Sequence, residues 1–134
     1  MAAALISSSF VNAADYVIDT KGAHASIQFK IKHLGYSWLT GRFNTFEGNF
    51  SYDSNQPNKS SIAVEIDTAS VDSNHAERDK HLKGSDFLAV SKFDKATFKS
   101  TNITFSDATN GVVKGDFTLH GVTKNISFPV TKVG

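Results

Sequence analysis

The sequence predicts an all-β, antiparallel protein, a meander curved into a barrel or sandwich and interrupted by one short helical insertion near Asn74–Val90. Three observations predict it. Apolar and polar residues alternate with a period of two along several segments, most cleanly where Ile27, Phe29 and Ile31 oppose Gln28, Lys30 and Lys32. Short clusters of turn-forming residues separate these segments, which is the pattern of strands joined by tight connections. Against that background stands the charged block NHAERDKHLKGSDF, Asn74 to Phe87, which reads as helix.

Taken in order, Met1 to Ala13 (MAAALISSSFVNA) is a small-residue, mildly apolar run with Val11 and Ala13 at the −3 and −1 positions of a signal-peptidase site. The expectation is a signal-peptide remnant over 1–13, a domain over 14–134, and a periplasmic location. The run is too short to span a membrane. Ala25 to Leu34 is a half-buried strand on which His33 continues the apolar parity, so it points inward near the strand end. From Trp38 to Tyr52 the alternation persists through Phe46, Gly48, Phe50 and Tyr52, but Phe43 falls on the opposite parity and predicts a bulge or bend at Asn44 and Thr45. Gly41 and Gly48 mark places where backbone is closely approached.

Asp53 to Ser60 (DSNQPNKS) is a loop, and Ile62, Val64 and Ile66 form the next strand face. The block that follows has Ser73 or Asn74 as its cap and Gly84 as its end, with a second helical turn around Ser85 to Val90. A strand near Ala96 to Phe105 and a turn at Asp107 to Gly111 lead into a hairpin, Val113–Leu119 and Val122–Val130, that turns at His120 and Gly121.

The 134 residues suffice for one domain with its own core, and no composition break marks a second. With no cysteine there is no disulfide framework and no thiolate metal site. A net charge of +1 with interspersed signs leaves no footprint for nucleic acid. His75 with Asp79, and Glu77 with His81, are each four apart, but the pairs are offset and do not make HExxH, so no metal ligands are expected. The HAE triplet lacks the PCxxC partner of zinc deaminases. Nor is there a GxSxG elbow or a glycine-rich phosphate loop. Glu65 and Asp67 share a strand parity and read as solvated. Eleven phenylalanines either fill a solid core or line a cavity, and on composition alone filling is the commoner outcome for a sheet face.

Five ordered segments carry a resemblance: DYVID at Asp15–Asp19, the run from His24 through FKIKHLGYSWLTGRF to Phe43, FEGNFSYD at Phe46–Asp53, SVDSNHAERDKHLKGSDFL at Ser70–Leu88, and GDFTLHGVTK at Gly115–Lys124. The chain resembles the YceI-like family of exported, lipocalin-like polyisoprenoid-binding proteins. It departs from the family pattern at Asp94 and Asn125, where proline is usual, with consequences only for local stiffness. Family members continue past the last strand, so the resemblance implies an incomplete member whose closing strands are missing and whose barrel has an open edge.

The resemblance also implies a lipocalin-like barrel whose apolar channel holds an extended amphiphile, a polyisoprenoid or isoprenoid quinone, with the phenylalanines lining it. The expected wall is Ile27, Phe29, Ile31, Phe46, Phe50, Ile62, Val64, Ile66, Phe98 and Phe117. His33 and Trp38 belong to the rim, and Arg78, Asp79 and His81 shape the entrance, with Arg78 paired to Asp86. The expected function is carriage or sequestration without catalysis, cofactor or metal, with a homodimer left open. Each five-carbon unit buried contributes roughly 4 kcal/mol before association costs, against about 0 to 1 kcal/mol for an exposed ion pair at the mouth. The competing classes are a metal-dependent enzyme acting on a lipid and a solid-core interaction or stress protein.

Overall fold

A computed structural model describes residues 13–134. Almost the whole of the expected leader, Met1–Asn12, lies outside the described residues. In chain order the elements are β1 (Ala14–Val17), β2 (Ile27–His33), β3 (Ser37–Phe43), β4 (Phe46–Tyr52), a 3-10 turn at Pro57–Lys59, β5 (Ser61–Asp67), a 3-10 turn at Thr68–Ser70, β6 (Val71–Asp72), α1 (Ala76–Leu82), β7 (Lys95–Phe105), β8 (Asn110–Leu119) and β9 (Val122–Thr131). Six strands make a sheet in the order β1-β4-β5-β7-β8-β9, and three make a second in the order β2-β3-β6. All pairings are antiparallel, as the alternation and short turns require. Among the described residues β1 and β9 each keep one unpaired edge, so the larger sheet is not closed.

The parity break at Phe43 is the expected bend at Asn44 and Thr45, and it is a change of sheet rather than a bulge. β3 ends at Phe43 against Val71, and β4 begins at Phe46 against Ile66 in the other sheet. Asn44 and Thr45 make the corner: both amides donate to Ser70, to its carbonyl (3.1 Å) and its hydroxyl (3.0 Å). The Asp67 amide donates to the Thr45 carbonyl at 3.0 Å. The true irregularity lies elsewhere, where β7 slips register against β8 between Ser100 and Asn102. The apolar parity switches across it, from Ala96 and Phe98 to Ile103 and Phe105.

The core sits on the larger sheet, where Phe98, Ile103 and Val113 are buried beneath Ile62, Val64, Phe105, Phe117, Ile126 and Val130. Gly115 admits the Phe98 ring: a Cβ there would lie 2.5 Å from both Phe98 Cζ and the Lys99 carbonyl oxygen. Gly41 plays the same part under Phe29, and Gly48 under Ile18 and Val64, so both glycines do mark close approach.

Candidate functional site

The helical insertion is shorter than expected and is capped differently. Its N-cap is His75, whose Nδ1 accepts from the Arg78 amide at 3.2 Å, rather than Ser73 or Asn74. Asn74 is barred from that role by its left-handed backbone, φ 63°. Ser73 is buried and is the anchor of the block instead. Its amide and hydroxyl donate to Asp79 Oδ1 (2.8 and 2.5 Å), while Arg78 donates from Nε to the hydroxyl (2.8 Å) and from its terminal nitrogen to the Ser73 carbonyl. The expected Arg78–Asp86 pair is therefore replaced: the guanidinium bonds the buried Ser73, five residues back.

Beyond Leu82 the chain does not make a second helical turn but a compact series of turns, in which the amides of Leu88, Ala89 and Val90 donate to the carbonyls of Leu82, Gly84 and Lys83. The segment then docks on the larger sheet. Phe93 packs on His120 with ring centroids 4.5 Å apart, and its carbonyl accepts from the Thr68 hydroxyl at 2.8 Å. The insertion thus bridges the two sheets and is fixed at both ends.

Between this bridge and the β2–β3 hairpin lies a cavity of about 1020 Å³. Ile31, Leu39, Leu82 and Phe87 supply its apolar walls, and His33, Ser37, Arg78, Lys80, His81 and Asp86 its polar rim. Ile31 pairs with Leu39 and His33 with Ser37, so these four share one hairpin face, as period two dictates. Trp38 pairs with Lys32 and lies on the other face. His33 and Trp38, both expected at the rim, therefore flank the same opening from opposite sides of one hairpin.

A second cavity, of about 610 Å³, opens at the end of the larger sheet where β5 begins and β4, β7 and β9 finish. Phe50, Ile62, Ile103, Phe105, Val113 and Val130 line it, with Tyr16 stacked on Phe50 at 4.8 Å. Of the residues expected to line one channel, Ile31, His33, Trp38, Arg78 and His81 surround the first cavity, and Phe50 and Ile62 the second. Phe98, Val64 and Phe117 pack in the core, Ile66 is buried beside it, and Ile27, Phe29 and Phe46 are half-buried. Leu39, Leu82 and Phe87 were missed. Leu39 was legible as the cross-strand partner of Ile31, but a hairpin register had first to be assigned.

Electrostatics mark the corner rather than the cavity. Asp72 is held below the ordinary carboxylate range, first by the Asn74 amide, then by the Asn44 side chain, and less by the Arg42 charge. Glu65 is exposed beside Lys95 at 3.8 Å, whereas Asp67 is half-buried and caps the Ala69 amide at 3.1 Å. Among the described residues no three His, Cys, Asp or Glu side chains converge as a metal site, and no helix is long and apolar enough to cross a membrane.

A profile of the family described as "YceI-like domain" matches residues 16–134. A UPF0312 protein of Vibrio cholerae is 58% identical over 135 residues, covering 98% of this chain and 70% of that protein. Among solved structures, the YceI protein of Campylobacter jejuni superposes with a TM-score of 0.66 at 31% identity, over 81% of this chain and 64% of that one. A polyisoprenoid-binding domain from Saccharophagus degradans, implicated in plant cell wall breakdown, superposes with a TM-score of 0.52 at 15% identity, over 90% of this chain and 64% of that one. The fold is thus the antiparallel, lipocalin-like β architecture expected from the sequence.

Proposed function

Since the chain belongs to the YceI-like domain family, we propose that it binds a long-chain amphiphile, a polyisoprenoid or isoprenoid quinone, and carries or sequesters it without covalent chemistry. The observation that carries this reading is the cavity of about 1020 Å³ between the β2–β3 hairpin and the α1 bridge. Its size is at the upper end of small-molecule sites, and apolar walls from Ile31, Leu39, Leu82 and Phe87 meet a polar, charged rim, a division between affinity and orientation. The fold likeness to a polyisoprenoid-binding domain supports the same ligand class.

On this reading the tail sets affinity, because each buried carbon contributes about 0.8 kcal/mol. His33, Lys80 and His81 orient a polar head group, and Arg78 holds the wall through Ser73. The small-residue run ending at Ala13 supports export to the periplasm. Native mass spectrometry of the full chain expressed with export, followed by organic extraction, tests the proposal. A stoichiometric isoprenoid is expected. A ligand-free mass, together with no displacement of a hydrophobic dye by added isoprenoid, sinks it.

A further inference from the structure

The geometry points to the β2–β3 hairpin as a docking element for an anionic lipid bilayer, seating the cavity mouth at the membrane surface. The hairpin tip presents a cluster of exposed apolar side chains beside the larger cavity: Leu34 is 77% exposed, Tyr36 95% and Trp38 57%. Sheet pairing does not bury them, and the connection itself presents them. Leu34 and Gly35 both have positive φ, 51° and 75°, and the Tyr36 amide donates to the His33 carbonyl at 3.1 Å. That conformation favours Asn or Gly at the first position. A leucine there strains the backbone and gains no burial, which is a local rule broken with no folding benefit.

Charge selects the partner. From Ile27 to Phe43 the hairpin holds Lys30, Lys32 and Arg42 and no carboxylate. Lys32 pairs across the strands with Trp38, and Lys30 Nζ lies 4.6 Å from the Trp38 ring centroid, so the apolar tip is flanked by cations on one face. Tryptophan and tyrosine beside lysine suit a bilayer interface, where the ring sits at head-group level and the ammonium meets lipid phosphate. Two copies of this hairpin brought together would oppose like charges, which disfavours self-association through it. Docking here is independent of the identity of any cargo, though it would place the opening flanked by His33 and Phe87 where an amphiphile could enter.

Trp38 is a built-in reporter. With the full chain, its emission should shift to the blue, and the protein should co-sediment, on phosphatidylcholine vesicles containing phosphatidylglycerol but weakly on phosphatidylcholine alone; W38F should remove the shift. Lys30→Gln and Lys32→Gln should each weaken partitioning about fivefold at low salt. The double variant Leu34→Asn/Tyr36→Ser, which suits the positive-φ turn and so keeps the fold, should weaken it at least tenfold. Val112→Asn, exposed on β8, should leave it unchanged. Wild-type protein that ignores both vesicles, or vesicle binding indifferent to the double variant, overturns the proposal. So does sedimentation showing that the double variant abolishes a dimer instead, which would assign the tip to a second copy. Extracting cargo from the double variant separates the two readings: retained ligand with lost vesicle binding supports docking alone.

Discussion

Ser73 and Gly115 show how single residues hold the site in place. The Ser73 hydroxyl is buried, donates to Asp79 and accepts from Arg78, so Ser73→Ala leaves two charged partners short of a bond. A loss of about 1–3 kcal/mol is expected in urea unfolding, with amide exchange in α1 rising first. Gly115 acts by having no side chain. Gly115→Ala would drive a methyl against the Lys99 backbone and the Phe98 ring, and backbone cannot swing aside as a flexible side chain can. About 1–3 kcal/mol of destabilisation is expected, read as a lower denaturation midpoint at unchanged slope.

At the scale of elements, turns set the register that brings cavity residues together. His120 and Gly121 have φ of 53° and 71° and join Leu119 directly to Val122, the both-positive pattern of a type I′ hairpin. The β7–β8 turn is organised differently, by one carboxylate. Asp107 Oδ1 accepts from the Thr109 and Asn110 amides, each at 2.8 Å, and the Asn110 side chain reaches Oδ2 at 3.0 Å. These bonds, that of the Asn110 side chain first, hold its pKa far below the ordinary 3.8. The native state therefore favours the ionised form. The stabilisation is complete well above 3.8 and is lost as pH falls below that value toward the depressed one. Asp107→Asn should be less stable than wild type at neutral pH, and thermal melts should converge as the solution is taken below about pH 3. Melts that stay equally separated at low pH would show that the carboxylate's charge is not what holds the turn.

For the whole molecule, the residues expected along one channel divide between two cavities and a packed core. Removing wall and removing support should then separate. Phe29 packs over Gly41 and lies 5.5 Å from the Phe43 ring, on the hairpin face that continues to Ile31. Phe29 therefore supports the wall over Gly41, whereas Ile31 lines the larger cavity itself, so Ile31→Asp should abolish lipid retention and Phe29→Asp should lower it together with stability. Arg78→Ala should lower stability through Ser73 yet leave tail binding largely intact, because apolar burial outweighs one rim charge. Lost retention in a folded Arg78→Ala, checked by circular dichroism, would give the guanidinium a direct part in binding.

The sequence by itself determined the strands, because a period of two depends only on which residues prefer water, and β2, β5, β8 and β9 follow the alternation closely, while β7 follows it on either side of its register slip. It also determined the terminal hairpin turn and the roles of Gly41 and Gly48, where local chemistry decides. β1, with four residues, is too short to declare itself by pattern. Tertiary structure alone decided that Asn44 and Thr45 switch sheets, since a bulge and a corner break parity identically and differ only in the partner strand. It decided likewise that Arg78 binds Ser73 rather than Asp86, and that Phe98 fills the core while Ile31 faces a cavity. An apolar side chain is written the same way whether its neighbour is another side chain or a space for a ligand, and only packing in three dimensions tells them apart.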